Sequence, residues 1–216
     1  MSEKTFSIKE ALTFGWETLQ ANVVLYLKLL ALLIVISLIP AMILGKIATA
    51  AGGAMPILLQ FLNIVWQSVV GMGVLKIGLK LYDKQPIELS DLWSSAPLIL
   101  NYLITKILFS VIVAIGLILL IVPGLIWLMQ FYVCTYLVVD RGAKPIAALK
   151  ASSAVTQGAK WDLGLFTTVS ALINLGGFLL LGVGIMVTLP VTLLASVHIY
   201  RTLLSKTPAV DKILKS

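Results

Sequence analysis

The side chains best suited to chemistry are few and lie inside long apolar runs. His198 is the only histidine and stands between Val197 and Ile199. A histidine in a membrane helix can relay protons or hydrogen-bond to a neighbouring helix. We expect the second role, because no other histidine or carboxylate accompanies it in the apolar runs. Cys134 is the only cysteine, which excludes an internal disulfide and a multi-cysteine metal site.

Two lysines, Lys28 and Lys106, also lie within apolar runs. A charge at the centre of a bilayer costs roughly 2.5–3.5 kcal/mol on insertion scales. The simpler expectation is that each lysine extends its ammonium group to the headgroups. The alternative is that both hold an anion such as a lipid phosphate, because the runs offer no Asp or Glu to neutralise them. Replacing Lys106 by methionine would then lower the amount of co-purified phospholipid.

Polar side chains form a stripe on one helix face. Gln60, Asn63 and Gln67 follow the spacing i, i+3, i+7, and Asn101 and Thr105 form a shorter stripe on the next run. Such groups cannot face hydrocarbon cheaply. Interhelical hydrogen bonds account for them. The alternative is a polar pathway between the second and third runs.

The elements that position these side chains must be membrane helices. Apolar residues make up 60% of the 216 residues and charged residues only 12%, whereas soluble domains carry about 25% charged residues. The net charge is +7. Nucleic-acid binding is not expected, because the basic residues are scattered and form no stripe. Attraction to anionic lipid is the better explanation.

Six apolar runs predict an all-α integral membrane protein. A spanning helix needs about 20 mostly apolar residues, and the fourth run is near the minimum, so a re-entrant or core-buried helix is its alternative. Val122-Pro123-Gly124 and Gly182-Val183-Gly184 are expected hairpin tips. The predicted spans are 22–44, 56–80, 98–120, 123–139, 163–181 and 185–204.

The distribution of charge predicts the orientation. Basic residues concentrate on the cytoplasmic side of membrane proteins. We therefore expect the cell (inner) membrane, with both termini and the loops at 82–97 and 140–162 in the cytoplasm. All nine acidic residues fall on the same side, and Lys46 alone is opposite. The basic residues of the cytoplasmic side are Lys4, Lys9, Lys76, Lys80, Lys84, Arg141, Lys144, Lys150, Lys160, Arg201, Lys206, Lys212 and Lys215.

A short amphipathic stretch precedes each predicted hairpin, which divides the single membrane domain, 1–216, into units 7–82, 88–140 and 145–205. We expect these stretches to be interfacial helices, the first with a capping box at Ser7 and Glu10. The second has Ser90 or Asp91 as its cap. The alternative to true repetition is that any three hairpins need such connections. The predicted faces are Ile8, Leu12, Gly15, Trp16 and Leu19; Leu89, Leu92, Trp93 and Ala96; and Ile146, Leu149, Ser153 and Thr156.

Several further residues carry structural expectations. Pro190 should kink the sixth run or leave a carbonyl free, and Gln130 and Asn174 stand alone as polar residues. Asp140 and Arg141 end the fourth run and are expected to pair with the third amphipathic stretch. The glycines expected to permit close helix packing are Gly71, Gly73, Gly78, Gly176 and Gly177.

Residues 122–160 carry a recognisable combination of segments. These are Val122-Pro123-Gly124, Tyr136-Leu137-Val138-Val139-Asp140, Ala148-Leu149-Lys150-Ala151-Ser152 and Thr156-Gln157-Gly158. The combination resembles the uncharacterised bacterial and archaeal inner-membrane families related to the membrane domain of glycerophosphoryl diester phosphodiesterases. The resemblance implies a six-helix membrane domain and no established reaction. Phosphodiesterase activity is not expected, because the soluble catalytic domain of those relatives has no counterpart here.

The residues themselves name no reaction. No phosphate loop, zinc-ligand spacing or nucleophile beside a base occurs, so we expect a non-enzymatic accessory, scaffold or lipid-interacting protein without cofactor or metal. The expected partners are membrane lipids, other membrane proteins or a second copy of the chain. A small-molecule or lipid permease is the second hypothesis, and a membrane-embedded lipid-modifying enzyme is the third.

Overall fold

A computed structural model describes residues 6–50, 53–180 and 183–215, and every regular element in those ranges is helical. A π-helical turn, Ile34–Leu38, joins α2 to α3, and a 3-10 turn, Ala96–Leu98, precedes α6. The α-helices are α1 (Ile8–Ala21), α2 (Val23–Leu33), α3 (Ile39–Ala50), α4 (Met55–Tyr82), α5 (Asp91–Ser94), α6 (Ile99–Leu119), α7 (Ile121–Gln130), α8 (Cys134–Arg141), α9 (Pro145–Thr156), α10 (Lys160–Leu179), α11 (Ile185–Ser205) and α12 (Val210–Lys215).

Six helical stretches of the described residues are long and apolar enough to cross a bilayer, which confirms the predicted number and the all-α class. The sixth is the most enclosed, with 44% of its most apolar window buried, against 6% for the first. The bundle is therefore organised around the sixth stretch, and the first is peripheral. The six stretches are span 1 (Val23–Ile47), span 2 (Met55–Tyr82), span 3 (Asp91–Leu119), span 4 (Ile121–Arg141), span 5 (Lys160–Leu179) and span 6 (Ile185–Ser205).

Span 1 contains a π-helical turn just before Pro40. Proline has no N–H, so the carbonyl four residues earlier, that of Ile36, loses its helical partner. The indole Nε1 of Trp66 donates to this oxygen at 2.6 Å, and the Gln67 side chain donates to the carbonyl of Ser37 at 3.3 Å. Span 2 therefore satisfies the backbone groups that the irregular turn leaves free, as a bilayer requires.

Span 4 is interrupted between α7 and α8, at residues 131–133. The carbonyl of Gln130, at the interruption, accepts hydrogen bonds from the hydroxyls of Ser152 at 3.0 Å and Thr156 at 2.9 Å. The Gln130 side chain, expected to stand alone, accepts from Lys160 Nζ at 2.6 Å. Polar groups of α9 and α10 thus compensate the break in span 4.

An arginine in span 6 joins three spans at the end of the bundle that we call the charged end, defined by Asp83, Asp140 and Arg201. The Arg201 guanidinium donates to both carboxylate oxygens of Asp140, at 2.8 and 3.0 Å, and to Asp83 at 2.5 Å. Tyr200 also donates to Asp140, at 2.7 Å. The sequence predicted that Asp140 pairs with the third amphipathic stretch. Its main partner is instead Arg201 of span 6.

Glycine pairs bring neighbouring helices close at the opposite end. A methyl group on Gly116 would lie 2.8 Å from the Gly124 Cα, and one on Gly177 would lie 3.0 Å from the Gly184 carbonyl carbon. The turn between α6 and α7 is the single extended residue Leu120, so Gly124 belongs to the first turn of α7 and not to the tip. Of the two glycines expected to permit close packing in span 5, Gly177 packs against the next helix, whereas no atom lies within 4 Å of a methyl group placed on Gly176.

The amphipathic stretches bury only part of each predicted face, including Gly15 and Leu19 of the first. In α1, Ser7 accepts the Glu10 N–H at 3.2 Å as predicted, but the fully buried residue is Ala11 and Trp16 is 47% exposed. Gly15 brings α1 onto α11, where a methyl group would overlap the Val191 carbonyl. In α9, Ile146 of the predicted face is exposed while Leu149 and Thr156 are buried.

The second amphipathic stretch forms only the four residues of α5. Leu92 is fully buried, whereas Leu89 and Trp93 are exposed. Ser90 is the N-cap residue of α5, as one of the two expectations had it, but its side chain caps no N–H of the helix. It donates instead to the Glu88 carboxylate, and Asp91 pairs with Lys80 Nζ at 2.5 Å. This ion pair holds α5, at the start of span 3, against span 2.

Candidate functional site

A cavity of about 600 Å³ lies where spans 1, 2 and 6 meet. Its volume falls within the range of about 300–1,000 Å³ that is usual for small-molecule sites. The walls are almost entirely apolar, with Leu29 of span 1, Ile77 of span 2 and Leu194 of span 6 among the buried contributors. Met186 and Leu189, which also line it, are 41% and 51% exposed. The cavity therefore opens on the surface that faces lipid.

The cavity lies beside a break between α1 and α2. Gly15 holds α1 against span 6, and the chain then leaves helical geometry at Asn22 (φ −123°, ψ 29°). The Asn22 side chain donates to the carbonyl of Thr18 at 2.9 Å, which stabilises the end of α1. Thr18 and Asn22 form part of the lining.

Tyr26 ties span 1 to span 6 beside the cavity. Pro190 lacks the N–H that would bond to the carbonyl of Met186, four residues earlier. The Tyr26 hydroxyl donates to that carbonyl. The sequence predicted that Pro190 kinks the run or leaves a carbonyl free, and the structure identifies the group that satisfies such a carbonyl. All three residues line the cavity.

A polar seam runs between spans 5 and 6 and reaches the cavity wall. We define it as Ser170 and Asn174 of α10 with Thr188, Thr192 and Ser196 of α11. Asn174 Nδ2 lies 3.2 Å from Thr192 Oγ1, and Ser196 Oγ lies 2.9 Å from the Tyr132 hydroxyl of span 4. Ser170, Thr192 and Ser196 line the cavity.

The seam was not predicted, although its spacing is visible in the sequence. Ser170 and Asn174 are four residues apart, as are Thr188, Thr192 and Ser196, so each set occupies one helix face. Asn174 was expected to stand alone. Hydroxyl residues are frequent in this chain, and only the structure shows which of them face each other.

Of the predicted polar stripe of span 2, Gln67 contacts span 1. Gln67 donates to Ser37, Asn63 is partly buried with its Oδ1 unpaired, and Gln60 is exposed. On span 3, the Thr105 hydroxyl donates to the Asn101 carbonyl of the same helix at 2.7 Å. None of these five residues lines the cavity, and the polar pathway stays a prediction.

The two lysines of the predicted anion site lie on exposed surfaces of different spans. Lys28 is exposed on α2, and Lys106 is exposed on α6, where its Nζ lies 5.4 Å from the ring centroid of Tyr102. A lysine placed over an aromatic ring gains a modest cation–π attraction. Neither lysine lines the cavity, and the anion site stays a prediction.

His198 lies outside the large cavity, nearer the charged end. Its ring centroid is 5.0 Å from that of Phe14 and 5.6 Å from that of Tyr82, and its Nδ1 has no hydrogen-bond partner. The expected hydrogen bond to a neighbouring helix is therefore not made by this nitrogen. The histidine lines a polar cavity of about 300 Å³ together with Glu10 and Lys206.

The lining of the large cavity contains no acid, lysine, arginine or histidine. Among the described residues, no group of three or more His, Cys, Asp or Glu side chains is placed to hold a metal ion. Comparison of the chain with protein-family models, curated proteins and solved structures gives no significant match. The resemblance to the phosphodiesterase-related membrane families therefore stays a prediction.

Proposed function

We propose that this protein is a non-enzymatic membrane protein that binds a lipid in the cavity between spans 1, 2 and 6. The observation that carries the proposal is the cavity itself, which is apolar and opens towards lipid. Bilayer lipid is the molecule that surrounds these helices. A hydrocarbon chain matches the apolar walls, and a polar metabolite does not.

The chemistry of the lining favours binding over catalysis. Acid–base catalysis needs a side chain that exchanges protons near neutral pH, and nucleophilic catalysis by a hydroxyl needs an adjacent base. The cavity wall offers the hydroxyls of Ser170, Thr192 and Ser196, and it offers no base beside them. We therefore propose a lipid-binding accessory or scaffold role in preference to an enzyme.

We further propose three helical hairpins in the cell (inner) membrane, with both termini in the cytoplasm. Two observations support this arrangement. In the sequence, thirteen of the sixteen basic residues fall in or beside the segments predicted to be cytoplasmic. In the structure, Arg201 of span 6 contacts Asp83, the residue after span 2, and Asp140, near the end of span 4. Each unit would thus contribute its second helix to one contact.

Cysteine labelling tests the orientation. Cys134 is buried and should not react, so a new cysteine at an exposed site reports its own side of the membrane. Lys212→Cys should be protected from a membrane-impermeant maleimide in intact spheroplasts, and Ala54→Cys should be labelled. Labelling of Lys212→Cys before permeabilisation would reverse the proposed topology.

Filling the cavity tests the function. Val74 is partly buried on span 2 and lines the cavity. The larger side chain of Val74→Phe should occupy part of the space and reduce, several-fold, the lipid that the detergent-purified protein retains in native mass spectrometry. The matched control is Val111→Phe, at a site 49% exposed on span 3 and outside the lining.

Two results would contradict the proposal. The first is a wild-type protein that carries no lipid after mild detergent extraction. The second is equal loss of lipid from Val74→Phe and Val111→Phe, which would place the retained lipid on the outer surface. Thermal unfolding of each variant separates a filled cavity from a misfolded protein.

A further inference from the structure

The seam contains half of the unpaired buried side-chain atoms found in the described part of the chain. Among the described residues, six buried side-chain atoms have no hydrogen-bond partner, and three of them lie between spans 5 and 6. These three are Ser170 Oγ, Asn174 Oδ1 and Thr188 Oγ1. A buried polar group without a partner costs about 1–3 kcal/mol, and hydrocarbon offers no alternative partner. Of the three residues, only Ser170 lines the cavity, so a polar group that enters from the cavity would recover the cost of its hydroxyl.

The seam leaves both a donor and acceptors for such a group. Thr192 and Ser196 donate to carbonyls of their own helix, at 3.0 and 2.8 Å, so their oxygens can only accept further bonds. Ser170 has a hydroxyl with no partner, and it lines the cavity beside them. A ligand hydroxyl both donates and accepts, so it matches this wall better than a carbonyl, which only accepts.

The charge of the lining restricts the ligand further. No cationic or anionic side chain faces the cavity. An ionised ligand group would enter this apolar space without a counter-charge, at a high desolvation cost. The hydrocarbon walls themselves discriminate little, because a lipid tail loses no water when it moves from bilayer to cavity. Selectivity must therefore come from the seam.

We infer that the cavity selects an uncharged lipid whose aliphatic hydroxyl hydrogen-bonds to Ser170 and its neighbours in the seam. This inference rests on the proposed function and names its ligand class. Two sources supply the chemistry: a long-chain alcohol, with the hydroxyl at the end of one chain, and a diacylglycerol, with the hydroxyl beside two esters.

Retention of chain-matched probes tests the inference. Delipidated protein in detergent is incubated with hexadecanol, hexadecane, palmitate or dipalmitoylglycerol, and the retained probe is quantified after repurification. We expect hexadecanol to be retained several-fold more than hexadecane and palmitate. Dipalmitoylglycerol retained at the level of hexadecanol identifies the diacylglycerol source, and its exclusion identifies the single-chain alcohol.

The Ser170→Ala variant tests the contact. Removing an unpaired hydroxyl should not destabilise the fold, whereas hexadecanol retention should fall by a factor of several, up to about tenfold, as expected for one hydrogen bond. Hexadecane retention should not change. The matched control is Thr168→Ala, two residues away on the same helix, whose exposed hydroxyl bonds to the Gly164 carbonyl at 2.9 Å.

The outcomes separate this inference from the proposed function. Equal retention of hexadecanol and hexadecane by the wild type, or equal effects of Ser170→Ala and Thr168→Ala, would overturn the hydroxyl preference. If Val74→Phe still lowered lipid retention in that case, lipid binding in the cavity would stand. Failure of all probes to bind, together with no effect of Val74→Phe, would overturn both.

Discussion

Replacing Arg201 by methionine is expected to destabilise the protein by about 3 kcal/mol or more. Arg201 is the shared partner of Asp83 and Asp140, and the Asp140 side chain is only 9% exposed. Removing one member of a buried ion pair leaves the other charge uncompensated, at a cost of about 3–5 kcal/mol. We expect the lower part of this range, because Arg141 and Tyr200 still donate to Asp140.

The single cysteine gives a direct measurement of this loss. Cys134 is 1% exposed on α8, so its alkylation in detergent requires the bundle to open. The Arg201→Met variant should react with a thiol-specific dye at a lower temperature than the wild type. Arg141→Met is the control, since the Arg141 side chain is 40% exposed and its other partner, Asp211, is 66% exposed. Pairs exposed in this way contribute about 0–1 kcal/mol.

A compensating change distinguishes charge from packing. Adding Asp140→Asn to Arg201→Met removes the uncompensated carboxylate and should restore part of the lost stability. If the double variant were no more stable than Arg201→Met, the effect would come from lost side-chain packing and not from the buried charge. If Arg201→Met had the same melting temperature as the wild type, the ion pairs of the charged end would not be a determinant of stability.

The six spans could be predicted because a run of about 20 apolar residues is recognisable without knowledge of the tertiary contacts. Bilayer thickness sets the length, and the Pro-Gly pair at 123–124 indicated the first separation only to within a few residues, because the turn itself is Leu120. The break at residues 131–133 could not be predicted, since Phe131, Tyr132 and Val133 are as apolar as their neighbours. Its cause is tertiary: Ser152 and Thr156 supply the hydrogen bonds that replace those of the helix.

The positions of the candidate site residues were harder to predict than the helices. In a soluble helix the apolar face is the buried one, but in a membrane both the lipid-facing and the core-facing sides are apolar. The stripe that contains Gln67 was therefore recognised without its partner, and Gln67 contacts span 1 and not span 3. Pro190 indicated a free carbonyl, but nothing in the sequence assigned Tyr26 to it.

The same ambiguity affected the glycines, because spacing alone does not show which of them face another helix. Gly71 and Gly73 were expected to act alike. Two residues along an α-helix are about 200° apart around its axis, so the two positions meet different surroundings. No atom lies within 4 Å of a methyl group placed on Gly71, whereas one on Gly73 would overlap the backbone of Leu92.

We therefore expect alanine to have opposite effects at these two positions. At Gly73 the added methyl would lie 2.5 Å from the Leu92 Cα and 2.7 Å from its carbonyl carbon, and backbone atoms cannot rotate away. Overpacking of this kind costs about 1–3 kcal/mol, occasionally more. At Gly71, alanine fits and gains up to about 1 kcal/mol of helix propensity. Alkylation of Cys134 on heating measures both changes.

The Gly73→Ala variant should also alter the cavity, because the overlap displaces a lining residue. Leu92 is fully buried, lines the cavity, and belongs to α5, which the Lys80–Asp91 pair ties to span 2. To relieve the overlap, Leu92 must move away from Gly73, and this movement stretches the ion pair. Lipid retention should therefore fall in Gly73→Ala and stay at the wild-type level in Gly71→Ala. Equal stability and equal retention in the two variants would show that α5 does not pack against Gly73.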